Sequence, residues 1–261
     1  MPIAHTPDGA ALAYDRAGAG SPLVLIHGIT DSRRSWDPLI PMLAADHDVI
    51  AVDLRGHGQS SRTPPYDAFT LADDIVTVLD HAQAEHPMMI GHSLGGIVST
   101  VYAARHEVRA IVNIDQPLEL SPFHAGLSAF EPMLRGDAAT FRSVMEAMTD
   151  AMFGPLPAAE RSRLQAQWSP EQEVVLGVWD AVLTTSPEVL AEMSRELVSS
   201  VTAPYLTVLN DDVDGGYEVW LKEVMPTATI EVWPGSGHFP HLVDPQRFVQ
   251  RVREFERTLA S

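Results

Sequence analysis

Short, continuous apolar runs punctuate the first 116 residues. Pro22-Leu23-Val24-Leu25-Ile26, Val49-Ile50-Ala51-Val52, Pro87-Met88-Met89-Ile90 and Ala110-Ile111-Val112-Asn113-Ile114 are each four or five residues of nearly unbroken hydrophobicity. Runs of this kind suit strands buried on both faces, as in a parallel sheet covered by helices. Between them, residues 36–45 and 70–84 read as helices, the second capped by Thr70 with Asp73 three residues on. Ahead of the first run, residues 2–17 hold two alternating stretches around Pro7-Asp8-Gly9, a hairpin at a sheet edge. Strands alternating with helices in this way predict a mostly parallel, doubly wound α/β sheet.

The alternation stops at Gln116-Pro117. From there to about residue 200 the chain reads as helices alone. It resumes with the strand Pro204-Tyr205-Leu206-Thr207-Val208-Leu209, a helix near 217–224, a strand Ala228–Trp233 and a C-terminal helix over 246–259. The expected organisation is a core built from 1–116 and 201–261, with 117–200 inserted after the sixth strand as a helical lid over the sheet's C-terminal edge.

Bulk properties narrow the partners. The 261 residues carry a net charge of -18, which argues against nucleic acid and anionic membrane surfaces. With no cysteine, disulfides, thiolate catalysis and cysteine-held metals are excluded. Met1-Pro2-Ile3-Ala4-His5-Thr6-Pro7-Asp8 lacks the basic and apolar regions of a signal peptide, and no apolar run approaches the ~18 residues of a membrane span. A cytoplasmic protein, monomer or homodimer, is the default expectation.

The candidate chemistry centres on Gly91-His92-Ser93-Leu94-Gly95-Gly96, between an apolar run and a helix-like one. A G-x-S-x-G pentapeptide there reads as a nucleophile elbow. So sharp a strand-to-helix turn strains the serine backbone and leaves no room for side chains at Gly91 and Gly95. It holds the Ser93 hydroxyl clear of the sheet, at a helix end whose free N–H groups can receive an oxyanion.

Together with His27-Gly28-Ile29, Asp53-x-Arg55-Gly56-x-Gly58-x-Ser60 and Gly237-His238, the elbow makes the sequence resemble the α/β-hydrolase superfamily over nearly its whole length. The resemblance implies Ser93 as nucleophile, His238 as its base, and an oxyanion hole formed by the backbone amides of Leu94 and Ile29. Two positions compete for the acid. Most of the superfamily places it after the strand corresponding to 204–209, in a Gly-x-x-Asp-like pattern. Here Asn210 stands for the glycine and Val213 for the aspartate, with Asp211, Asp212 and Asp214 out of register. Some branches, haloalkane dehalogenases and certain lactone hydrolases among them, place the acid at the preceding strand end, which is Asp115. The Ile114-Asp115-Gln116-Pro117 context resembles the lactone-hydrolase branch, so Asp115 is favoured and Asp212 is the alternative.

Asp53, Arg55 and Ser60 are read as braces of a turn, and Trp36 as a packing residue. His57 and His92 have the cleft within reach, with a structural role equally open. His238 and His241 lack a carboxylate pattern that would complete a metal site, and neither a Walker lysine nor G-x-G-x-x-G is present. No metal and no cofactor are expected. In the inserted segment Phe123, Met145, Met148 and Trp179 are the candidate pocket residues, and Met145, Met148 and Met152 fall at helical spacing. The expected activity is cleavage of a medium-sized hydrophobic carboxylic ester or lactone through an acyl-enzyme. A cofactor-free perhydrolase or haloperoxidase-like activity, or a ligand-binding protein that retains the fold, are the rivals. A dehalogenase would need an aspartate where Ser93 stands.

Overall fold

Alternation within the apolar runs decides how the sheet is covered. In the computed structural model, which describes residues 1–210 and 215–259, Leu23 and Leu25 face one helical layer while Val24 and Ile26 face the other. The same division recurs at Val49 and Ala51 against Ile50 and Val52. Both faces are apolar because both are buried, which is why the sequence runs look continuous.

Eight strands form one sheet: β1 (Ile3–His5), β2 (Ala11–Gly18), β3 (Ser21–Ile26), β4 (His47–Val52), β5 (Met88–His92), β6 (Ala110–Ile114), β7 (Tyr205–Leu209) and β8 (Ala228–Val232). Their order is β1-β2-β4-β3-β5-β6-β7-β8. β1 and β2 pair antiparallel at one edge, β2 pairs antiparallel with β4, and every other pairing is parallel. The edge hairpin expected around Pro7-Asp8-Gly9 is present.

Two helical readings need correction. Residues 36–45 are not one helix: a 3-10 turn at Arg33–Trp36 is followed by a single α-turn, α1 (Ile40–Leu43). Pro38 and Pro41 interrupt the segment, and proline supplies no N–H for a continuing ladder. The next helix, α2 (Ala68–Ala82), starts earlier than the Thr70 cap implied. Its N-cap is Asp67, whose Oδ1 accepts from the Phe69 and Thr70 amides at 3.0 Å each, while the Thr70 hydroxyl donates to Oδ2. A carboxylate three residues upstream outcompetes the hydroxyl for the free amides.

α2 and α3 (Leu94–Ala103) cover one face. Between β6 and β7 lie six helices, α4 (Ser121–Ser128), α5 (Glu131–Leu134), α6 (Ala138–Phe153), α7 (Ala158–Gln167), α8 (Gln172–Thr184) and α9 (Pro187–Ser199), with a core of their own around Phe141, Met145, Val175 and Trp179. After β7 come α10 (Gly215–Val224), α11 (Pro240–Val243) and α12 (Pro245–Leu259). Phe248, Val249, Val252 and Phe255 form the buried stripe of α12 on the second sheet face. No single helix among the described residues is long and apolar enough to cross a membrane.

Candidate active site

The elbow takes its shape from packing. Cβ atoms added at Gly91 or Gly95 would collide with the Gly95 and Ile26 carbonyls respectively, so the β5-to-α3 turn closes only over glycine. Ser93 sits at its apex with φ 51° and ψ -120°, anchored by its amide to the Ile114 carbonyl at 3.0 Å. The serine is half-buried and opens into a cavity of about 1900 Å³ between the sheet edge and the α4–α9 helices. Its hydroxyl makes no hydrogen bond among the described residues.

Asp115 follows β6 in a left-handed conformation, φ 50°, which aspartate tolerates better than most residues. Three groups hold its carboxylate. His238 Nδ1–H donates to Oδ2 at 2.6 Å, the Asn210 side-chain amide donates to the same oxygen at 2.9 Å, and the Asn210 backbone N–H donates to Oδ1 at 2.9 Å. Asn210, read from sequence only as a missing glycine, is thus the clamp of this carboxylate. The Nδ1 donor leaves Nε2 of His238 as the basic nitrogen, on the ring edge away from Asp115. Asp212 lies outside the described residues.

The His238 loop is held at three points. The His92 ring donates through Nε2 to the His238 carbonyl at 2.8 Å, and the His238 amide donates to Met152 at the end of α6 at 3.3 Å. Gly237, at φ 61°, packs on Pro155 and Gly154 just beyond that helix. Burial pushes the His92 pKa well below that of a free imidazole, and His238 and His241 beside it act in the same direction. His92 is therefore a neutral strut.

His27 fixes the peptide between Gly28 and Ile29. Its Nε2 accepts from the Leu54 N–H at 3.1 Å, which makes Nδ1 the donor, to the Gly28 carbonyl at 2.7 Å. The Asp31 amide also donates to that carbonyl, at 3.3 Å. In a planar trans peptide the Ile29 N–H points opposite to the Gly28 carbonyl, away from His27. Neither the Ile29 nor the Leu94 amide donates a hydrogen bond among the described residues, and both residues line the cavity.

The remaining expected residues divide cleanly. Phe123, Met145, Met148 and Trp179 all line the cavity, with the Phe123 and Trp179 rings 6.0 Å apart, edge to face. Asp53 accepts from the Arg33 backbone and guanidinium and from the Gln59 amide, and Ser60 donates to the Asp53 carbonyl. Arg55 is fully engaged with Asp74 and Asp8. These three are braces, and His57, buried and bonded to the Arg55 carbonyl, stays out of the cavity. Trp36 is buried against His241. Sequence reasoning missed the clamp at Asn210 and the carboxyl of Asp31, which also lines the cavity.

A family model described as the alpha/beta hydrolase fold matches residues 21–203. The chain belongs to the α/β-hydrolase family. Several of its relatives are named as hydrolases or esterases. A 2-(acetamidomethylene)succinate hydrolase of Mesorhizobium japonicum is 27% identical over 256 residues, covering 91% of this chain and 88% of the relative. An esterase from Rhodococcus sp. superposes with a TM-score of 0.76 at 29% identity, covering 99% of this chain and 98% of that one. An N-acyl homoserine lactone degrading enzyme gives 0.77 at 25% identity, covering 97% and 100%. These likenesses support a hydrolase of this fold.

Proposed function

We propose that this α/β-hydrolase cleaves a carboxylic ester or lactone through a serine acyl-enzyme. The observation that carries the proposal is the 2.6 Å contact between His238 Nδ1 and Asp115 Oδ2, in a cavity that also holds Ser93 and two undonated amides. The esterase and lactone-degrading neighbours are consistent with it.

In this mechanism the substrate carbonyl carbon lies against Ser93 Oγ with its oxygen toward the Ile29 and Leu94 amides. Oγ attacks as its proton passes to His238 Nε2. Asp115 fixes the Nδ1–H tautomer and stabilises the imidazolium. Collapse of the tetrahedral intermediate breaks the carbon–oxygen bond, and His238 gives the same proton to the departing alkoxide. Water then attacks the acyl-enzyme with His238 again taking its proton, and a second collapse frees the carboxylic acid and returns the proton to Ser93. Helices α4–α9 form the lid, whose apolar side chains receive the acyl or alcohol part.

The test is hydrolysis of p-nitrophenyl esters from acetate to octanoate by wild type and by Ser93→Ala. The proposal expects an optimum at medium chain length and loss of turnover by at least about 10³-fold in the variant. Undiminished turnover in Ser93→Ala would sink it, and tight ester binding without turnover would point to a ligand-binding protein.

A further inference from the structure

The turn that presents the Ile29 amide carries a feature the mechanism does not use. Thr30, a β-branched residue, stands at φ 66°, a conformation such side chains rarely adopt. Three of the non-glycine residues with positive φ, Thr30, Ser93 and Asp115, border the cavity, and strain of this kind clusters where function holds it in place. At Thr30 the turn is pinned from both sides, by the Asp31 amide on the Gly28 carbonyl and by the Ser169 amide, from the α7–α8 connection, on the Thr30 carbonyl at 3.3 Å. The result is that Asp31 lines the cavity two residues after an oxyanion donor.

The Asp31 carboxyl is half-buried and makes no hydrogen bond or ion pair among the described residues. A carboxyl in that condition, with no protein donor engaged, is free to take a hydrogen bond from a ligand in the cavity. The titratable and charged groups that face it are His238, on the loop after β8, and Arg163, on α7. Arg163 does not neutralise it, being tied to Glu160 and to the Arg34 and Ser35 carbonyls. Burial outweighs the lowering influence of both groups and pushes the Asp31 pKa up to about 7. The wider lining is acidic too, since Glu119, Glu173, Asp180 and Glu192 also border the cavity while Arg195, its one lysine or arginine among the described residues, pairs with Glu223.

We propose that Asp31 is a specificity-determining residue that accepts a hydrogen bond from an O–H or N–H group close to the scissile carbonyl, and that the cavity selects esters or lactones bearing such a donor over those bearing a carboxylate. This rests on the ester-hydrolase reading and narrows its substrate class. An unpaired acceptor beside the oxyanion turn rewards a donor and repels an anion.

The test compares methyl butyrate, methyl 3-hydroxybutyrate and monomethyl succinate with wild type, Asp31→Leu and Asp31→Asn. Turnover is followed by acid release, and binding by tryptophan fluorescence in a Ser93→Ala background, since Trp168, Trp179 and Trp220 line the cavity. At pH 8, where the carboxyl is ionised, wild type should favour the hydroxy ester over methyl butyrate by about tenfold in kcat/KM, the worth of one charge-assisted hydrogen bond, and should disfavour the succinate. Asp31→Leu should bring the first ratio to about 1 while methyl butyrate is still hydrolysed. Asp31→Asn, nearly isosteric, should keep part of the preference but lose its rise with pH through about 7, where the wild-type carboxyl ionises. A merely structural Asp31 would move neither the ratio nor its pH profile. An unchanged ratio in Asp31→Leu, or a wild-type ratio of 1, overturns the proposal. Absent turnover overturns the hydrolase reading instead, and the fluorescence ratio still decides the role of Asp31.

Discussion

Asp115 Oδ2 receives two hydrogen bonds and Oδ1 a third, and the donors come from different parts of the chain. The His238 contact sets the imidazole tautomer, and the Asn210 contacts keep the carboxylate aimed. Asp115→Asn should therefore lower kcat by about 10³–10⁴-fold, because an amide in that place favours the wrong tautomer. Asn210→Ala should cost less, about tenfold to a hundredfold, mostly in kcat, since the carboxylate keeps its charge but loses its aim. Steady-state kinetics on one p-nitrophenyl ester check both, and equal losses would contradict this division of labour. The glycine-rich contexts that single out Ser93 and His238 are local in sequence, and the structure places both residues on one cavity. Asn210 and Asp31 were not legible in the sequence, because their roles depend on a contact 95 residues away and on a half-buried position that no short motif encodes.

Among the elements, the β5–α3 turn is the least tolerant of change. At Gly95 a methyl group would strike the Ile26 carbonyl on the neighbouring strand β3, backbone that cannot step aside without moving the strand. Gly95→Ala should destabilise the fold by about 1–3 kcal/mol or more, the cost of overpacking a rigid site, read as a fall in Tm. Gly126→Ala, on an open helix surface of α4, is the control and should leave Tm unchanged or slightly raised. Strands buried on both faces could be read directly from their apolar runs, and so could the hairpin and the helical insertion. The segment after β3 could not, because its apolar spacing is helical while Pro38 and Pro41 break the ladder that spacing predicts. The start of α2 shifted for a comparable reason: two capping residues stood three apart, and the carboxylate won.

Taken as a whole, the molecule buries several neutral imidazoles. Burial lowers the pKa of His27 to about 4 and those of His57 and His241 to about 3, and that of His92 well below the ordinary value. A group whose folded pKa is depressed below its unfolded value of about 6.5 binds more protons when unfolded, so stability is fully present above that value and is lost as pH falls. Each such histidine contributes a slope of up to about 1.4 kcal/mol per pH unit over its window. Asp31 acts in the opposite direction: its folded pKa is raised, so the stability it confers when protonated is lost as pH rises toward about 7. His47 and Asp74, whose folded pKa values are also raised, act with Asp31, and the four buried histidines outweigh the three. Tm should fall steeply between pH 6.5 and 4.5. In His241→Phe the fall should be shallower, since that ring lies between Trp36, His92 and Phe248 with neither nitrogen bonded. An identical acid slope in the variant would contradict this origin.

Everything proposed for this site depends on Ser93 being a nucleophile activated by His238. The most direct measurement is labelling with a fluorophosphonate probe, followed by mass mapping of the modified peptide in wild type, Ser93→Ala and His238→Ala. The predicted result is one adduct, on the peptide containing Ser93, absent in Ser93→Ala and slowed by orders of magnitude in His238→Ala. A wild-type protein that stays unlabelled, or one labelled equally well without His238, would contradict it.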